Sequence, residues 1–109
     1  TRQLPKADWQ TYFDLVGKAL GTRSVQIEVA SLDLGDQVEA SWTGLTNLSY
    51  DHRGDLIQIG TDHIDHHVAA PAEIWVQEGD NGLEALEIKR QDGVTEIIRL
   101  DVPLRLPAP

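Results

Sequence analysis

The sequence predicts an α+β fold: one N-terminal amphipathic helix packed on an antiparallel β-meander of about six to seven strands, able to curl into a partial barrel. Three observations carry this. Residues 4–20 hold a single apolar stripe at the helical period, and the period switches to two after Gly21. Turn signals rich in Gly, Asn and Asp then recur at short intervals up to residue 100. With 109 residues there is material for one core, so residues 1–109 form a single domain. It divides into a helix over about residues 5–20, a meander over about 24–100 and an extended C-terminal arm over 102–109.

The helix rests on Trp9, Tyr12, Phe13, Val16 and Leu20, which fall at i, i+3, i+4, i+7 and i+11 and share one face. Pro5 sits where a first turn tolerates it. Asp8 near the start and Lys18 near the end complement the helix dipole, and Gly21 ends the element.

After Gly21, Val25, Ile27 and Val29 alternate with Gln26 and Glu28. Leu34-Gly35-Asp36 breaks the run before Val38, Ala40 and Trp42 resume it, and Leu48 and Tyr50 continue the pattern. Asp51 to Asp55 reads as a hairpin loop leading to Ile57 and Ile59. Its Arg53-Gly54-Asp55 string matches a cell-adhesion tripeptide, which a glycine-containing turn explains in full. Two more hairpins follow: Glu73 to Glu78, the turn Gly79-Asp80-Asn81-Gly82, Leu83 to Arg90, the turn Gln91-Asp92-Gly93, then Val94 to Leu100. Asp80-Asn81-Gly82 offers oxygen ligands without the spacing of a calcium loop.

The later strands are apolar on both faces. Ile74 and Val76 point one way and Trp75 the other, while Ile97 and Ile98 are adjacent. The helix covers one face; a second subunit or sheet closure is the natural cover for the other. The tail from Val102 to Pro109 holds three prolines and reads as an extended arm laid along a sheet edge.

Charge narrows the partners. The chain carries 18 Asp and Glu against 9 Lys and Arg, a net charge of −9. Between Ser24 and Ile88, thirteen carboxylates face the single base Arg53. A nucleic-acid partner would require clustered bases with interleaved aromatics, so none is expected. No apolar run approaches the roughly 18 residues of a membrane span and no secretory signal order is present, so we expect a cytoplasmic protein without a membrane partner. Thr1 at the first position fits removal of an initiator methionine. The absence of cysteine excludes disulfides, thiolate metal sites and cysteine nucleophiles. Neither a nucleophile elbow nor a phosphate-binding glycine loop is present, and no catalytic residue is assigned.

One constellation could carry chemistry. All four histidines fall between His52 and His67, most densely in Asp62-His63-Ile64-Asp65-His66-His67. If Asp62 caps a short helical turn, His63 and His66 or His67 project from one face and can share a Zn²⁺ or Ni²⁺, with Asp65 as an oxygen ligand. The candidate metal site is therefore His63, Asp65, His66 and His67. The glutamate and spacing of a metalloprotease helix are missing. The competing reading is a solvent-facing connection between a strand ending near Gly60 and one starting at Glu73, with Ile64 and Val68 anchoring one turn on the core.

In element order alone the chain is similar to the Sm-like folds, without their glycine signature or basic RNA face. Over nearly its whole length it resembles a small bacterial family of uncharacterised proteins, a domain of unknown function. Asp8-Trp9-Gln10-Thr11-Tyr12-Phe13-Asp14 and Glu28-Val29-Ala30-Ser31-Leu32-Asp33-Leu34-Gly35-Asp36-Gln37 carry that resemblance. So do Glu73-Ile74-Trp75-Val76-Gln77-Glu78-Gly79 and the ending Leu104-Arg105-Leu106-Pro107-Ala108-Pro109. The resemblance implies no activity, cofactor or catalytic residue. The function expected is a non-enzymatic, self-associating module, a homodimer or other homo-oligomer, that binds a protein or small ligand through its sheet face. The alternative is a metal-binding protein or small metal-dependent hydrolase using the His63–His67 cluster.

Overall fold

The computed structural model describes residues 1–31 and 35–106; Leu32 to Leu34, within the expected β-turn, and Pro107 to Pro109, the end of the expected arm, lie outside the described residues. The N-terminus departs from the expected helix. Leu4 precedes Pro5, whose ring disfavours the helical conformation in the residue before it. Arg2–Leu4 is accordingly strand β1. Pro5 stays extended with ψ 142°, and Lys6–Asp8 form a single 3-10 turn in which the Asp8 N–H donates to the Pro5 carbonyl at 2.9 Å. Helix α1 then runs Trp9–Ala19, shorter than the expected 5–20, with Gly21 at φ +55° beyond its end. Its buried face is the expected stripe of Trp9, Tyr12, Phe13, Val16 and Leu20, the last of them just past the final helical residue.

Seven further strands follow: β2 (Arg23–Ser31), β3 (Gly35–Asp51), β4 (Leu56–Thr61), β5 (Asp65–Ala69), β6 (Pro71–Gly79), β7 (Gly82–Arg90) and β8 (Thr95–Leu104). All pairings are antiparallel, in the order β1-β6-β7-β8-β2-β3-β4-β5. Among the described residues the sheet thus has eight strands. Segments read separately around Ala40 and Leu48 are one strand, β5 comes from a stretch read as a connection, and β1 lies ahead of the expected helix, overlapping its apolar stripe only at Leu4. The arm expected from residue 102 begins instead inside β8, whose Leu104 pairs with Leu83 and is buried.

β3 changes partner along its length. Gly35–Leu45 pairs with β2 and Leu45–Asp51 with β4. Register shifts flanking Ile27, with Trp42 at φ +48°, mark the bend where the strand passes from one part of the sheet to the other. Among the described residues β1 and β5 end the strand order without pairing to each other, so the sheet is not a closed barrel. It is nevertheless folded over. β5 and β8 would lie about 19 Å apart in a flat sheet at about 4.8 Å per strand, yet His66 of β5 touches Glu96 of β8. Ala70, at φ +51°, alone connects β5 to β6; its N–H donates to Asp55 and its carbonyl accepts from Gln91, both at 3.0 Å.

One apolar core fills the space inside. Ile57, Ile59 and Val68 face Ile27, Ile74, Ile88 and Ile98 in a single buried cluster with Phe13 and Val16 of α1. The Trp9 indole N–H donates to the Leu4 carbonyl at 2.9 Å, and its ring meets Tyr50 edge-on at 5.3 Å between centroids. The helix therefore bridges the β1 edge and the second half of β3.

Candidate functional site

The histidine segment begins at Thr61, not Asp62. The Thr61 hydroxyl accepts from the N–H groups of His63 and Ile64 at 3.3 and 2.9 Å and donates to the Ile64 carbonyl at 2.8 Å. The capped turn leads into a strand rather than a helix. β5 pairs with β4 from Gly60↔Asp65 to Leu56↔Ala69, and strand alternation sends His66 and Val68 inward while Asp65, His67 and Ala69 are exposed. His66 and His67 consequently point to opposite faces. Ile64, expected as a core anchor, is exposed, whereas Val68 is buried. His52 lies in the β3–β4 loop in a cleft with Lys6, Gln10, Tyr50 and Asp55. The Tyr50 hydroxyl donates to Asp55 at 2.7 Å there, and burial, with that bond, pushes its pKa up to about 12.

Inward-facing His66 meets Glu96, which also holds Arg90, and the sequence reading singled out neither partner. Glu96 has no exposed surface and lies in the β-ladder between Ile88 and Val29. Burying a carboxylate among apolar neighbours is costly unless it is paired. His66 Nε2 donates to its Oε1, and Arg90 Nη1 donates to its Oε2 at 3.2 Å. Arg90 also pairs with Asp92, which accepts the Val94 N–H at 3.1 Å and is held below the usual carboxylate range by that bond and by Arg90. The hydrogen bond to Glu96 raises the His66 pKa above its ordinary value. Burial opposes the shift, the charges of Glu96 and Glu39 support it, and Arg90 counters it. This cluster ties the β5 edge to β7 and β8.

The outer face is different in kind. Register places Trp75, Glu87, Ile97 and Glu28 in one row across β6, β7, β8 and β2, and Gln77, Ala85, Arg99 and Gln26 in the next. Trp75 and Ile97 are half-buried. The small side chain of Ala85, among Trp75, Gln77, Ile97 and Arg99, leaves a depression of about 140 Å³. Arg99 pairs with Glu28 at 2.6 Å, Lys89 Nζ lies 5.9 Å from the Trp75 ring centroid, and the indole N–H donates to Glu73 at 3.2 Å. Helix α1 packs on the inner face, in the core cluster.

These features define a small α+β domain: one short helix on an open, folded-over antiparallel sheet. Among the described residues, no group of three or more histidines and carboxylates is placed to hold a metal, and no helix is long and apolar enough to cross a membrane. The chain belongs to a family of unknown function (DUF5335), whose family model matches residues 1–109. An uncharacterized protein of the bacterium Aquifex aeolicus (strain VF5) is 38% identical over 109 residues, covering 98% of this chain and 97% of that protein. No solved structure matches the chain.

Proposed function

We propose that the chain is a non-enzymatic module that self-associates through the outer face of β6, β7, β8 and β2. The observation that carries this reading is the row holding Trp75 and Ile97 beside the Ala85 depression, on the face opposite the helix. Charge points to a second copy as the occupant. In a chain of net charge −9, this face sets Lys89 and Arg99 among Glu28, Glu73 and Glu87. Interspersed opposite charges temper the repulsion between like copies and suit the self-complementary contact of a twofold dimer. A metal-dependent alternative built on His63, Asp65, His66 and His67 finds no support in β5, whose alternation separates His66 from His67.

Native mass spectrometry before and after EDTA, with sedimentation velocity, tests the reading. The wild type runs as a metal-free dimer. Ile97→Lys runs as a folded monomer, because its ladder neighbours Glu28 and Glu87 accommodate a cation. A strict monomer at high concentration with Trp75 fully quenchable overturns self-association. Stoichiometric metal released by EDTA reverses the ranking in favour of the histidine site.

A further inference from the structure

β3 has a second feature, at its first half. Gly35–Leu45 is paired with β2 on one side, and β4 meets the strand only from Leu45 onward. Between Gly35 and Thr43 the other edge carries no strand among the described residues. From Gly35 to Trp42 every residue except Ala40 is exposed, including Val38 at 54% and Trp42 at 50%. Elsewhere in the sheet, apolar side chains of this size are mostly buried or half-buried.

Open edges invite strand addition, and native proteins limit them with bulges and charge. This edge carries both devices in a particular arrangement. Gly35, Asp36, Gln37 and Val38 keep unbroken register with Ser31, Ala30, Val29 and Glu28. Glu39 is then the extra residue of one bulge, and Ser41 and Trp42 together oppose Gln26 in the next. The bulges confine regular pairing to four residues, enough for a short extended segment and too few for unlimited sheet growth. Trp42 sits beyond them at φ +48°, a conformation that L-residues keep only where their surroundings impose it. The bulge thereby presents an exposed indole next to the pairing edge.

Charge selects the occupant. Antiparallel pairing of this edge with a second copy would set Asp36 and Glu39 of both chains along one ladder, like against like, between molecules of net charge −9. A basic segment meets the opposite field. We infer that the β3 edge at Gly35–Val38 accepts an extended segment of a protein partner that carries both basic and apolar residues. Main-chain hydrogen bonds supply the pairing, Val38 and Trp42 the apolar contacts, and Asp36 and Glu39 the charge.

The test uses the full chain, ¹⁵N-labelled, with two synthetic hexapeptides: one alternating lysine and valine, the other glutamate and valine. The lysine peptide is expected to shift the amides of Gly35–Val38 and the Trp42 indole N–H saturably, and to weaken with added salt. Trp42→Ala, at an exposed site where loss of the indole leaves the core intact, is expected to bind it about tenfold more weakly, the loss of roughly one good apolar anchor. Equal binding of the glutamate peptide, unchanged affinity in Trp42→Ala, or no shift in Gly35–Val38 at millimolar peptide each overturns the inference. Repeating the titration on Ile97→Lys separates this edge from the self-association face, because its peptide shifts persist whether or not the wild type dimerises.

Discussion

Replacing Glu96 by glutamine keeps the side chain's shape and removes its charge from the seam between β5 and the rest of the sheet. The Glu96 carboxylate is wholly buried and holds His66 on one oxygen and Arg90 on the other. Removing one partner of a buried ion pair costs about 3–5 kcal/mol. Arg90 retains Asp92, and the side chains of Arg90 and His66 are 31% and 18% exposed, so both can rehydrate in part. That places Glu96→Gln at the lower end, a loss of about 3 kcal/mol near pH 6, or roughly 15 °C in Tm for a domain of this size. The loss depends on pH in a fixed direction. Folding raises the His66 pKa, so the histidine's contribution is fully present below its unfolded value of about 6.5 and disappears as pH rises through the higher folded value. Wild-type stability therefore declines into the alkaline range. In Glu96→Gln the first cause of the shift is gone and the profile flattens, so the difference between the two proteins narrows toward pH 9, where the Arg90 bond still contributes about 1.5 kcal/mol. Urea unfolding followed by tryptophan fluorescence at both pH values measures it. A loss below about 1 kcal/mol near pH 6, or the same loss at both pH values, would refute the argument that the seam is held by a proton-dependent pair.

Two backbone predictions use the same assay. Gly82 and Gly93 both have positive φ, +115° and +89°, but a Cβ on Gly82 would lie 2.6 Å from the Leu104 carbonyl carbon and 2.8 Å from the Arg105 Cα, whereas one on Gly93 meets nothing within 4 Å. Gly93→Ala should cost about 1–3 kcal/mol from backbone strain alone, and Gly82→Ala more than about 4 kcal/mol; similar costs would show that the β7–β8 contact yields easily. At the link between β5 and β6, Ala70 holds φ +51°. Ala70→Gly should leave stability unchanged or raise it by about 0.5 kcal/mol, as relief of left-handed strain exceeds the added chain entropy, while Ala70→Val should lose about 2 kcal/mol.

Legibility in the sequence followed the range of the interaction. The stripe from Trp9 to Leu20 depends on neighbours three and four residues apart, and it is the face that α1 buries. The hairpins of β6, β7 and β8 rest on local turn chemistry and appear within a residue or two of their expected limits at most ends, β8 running on to Leu104. The start of the helix was obscured by a local effect of another kind, the influence of Pro5 on Leu4 rather than on itself. β5 was hidden because Val68 is its only large apolar residue, and the histidines before it read equally well as a ligand cluster. The outer-face pattern was visible in Ile74-Trp75-Val76 and Ile97-Ile98, since adjacent apolar residues in a strand must face opposite sides.

The seam left a trace in the sequence that requires topology to interpret. Glu96 continues the inward phase of Ile98, Arg90 that of Ile88, and His66 that of Val68. A single charge in phase with a buried row normally signals the end of burial, where a strand reaches solvent. Three such charges of compatible sign on different strands admit another explanation, that Glu96 is buried because half-buried His66 and Arg90 neutralise it. Choosing between these readings requires knowing that β5 returns over β8. That contact spans thirty residues and arises from the bend in β3 and the single-residue link at Ala70, neither of which has a periodic signature. The same bend leaves the first half of β3 paired on one side alone, with β2, and its other edge open among the described residues. Sealing the core with His66, Glu96 and Arg90 and opening the edge at Gly35–Val38 are thus two consequences of one change of strand partner: a variant that straightens β3 should weaken the ion cluster and alter the edge together.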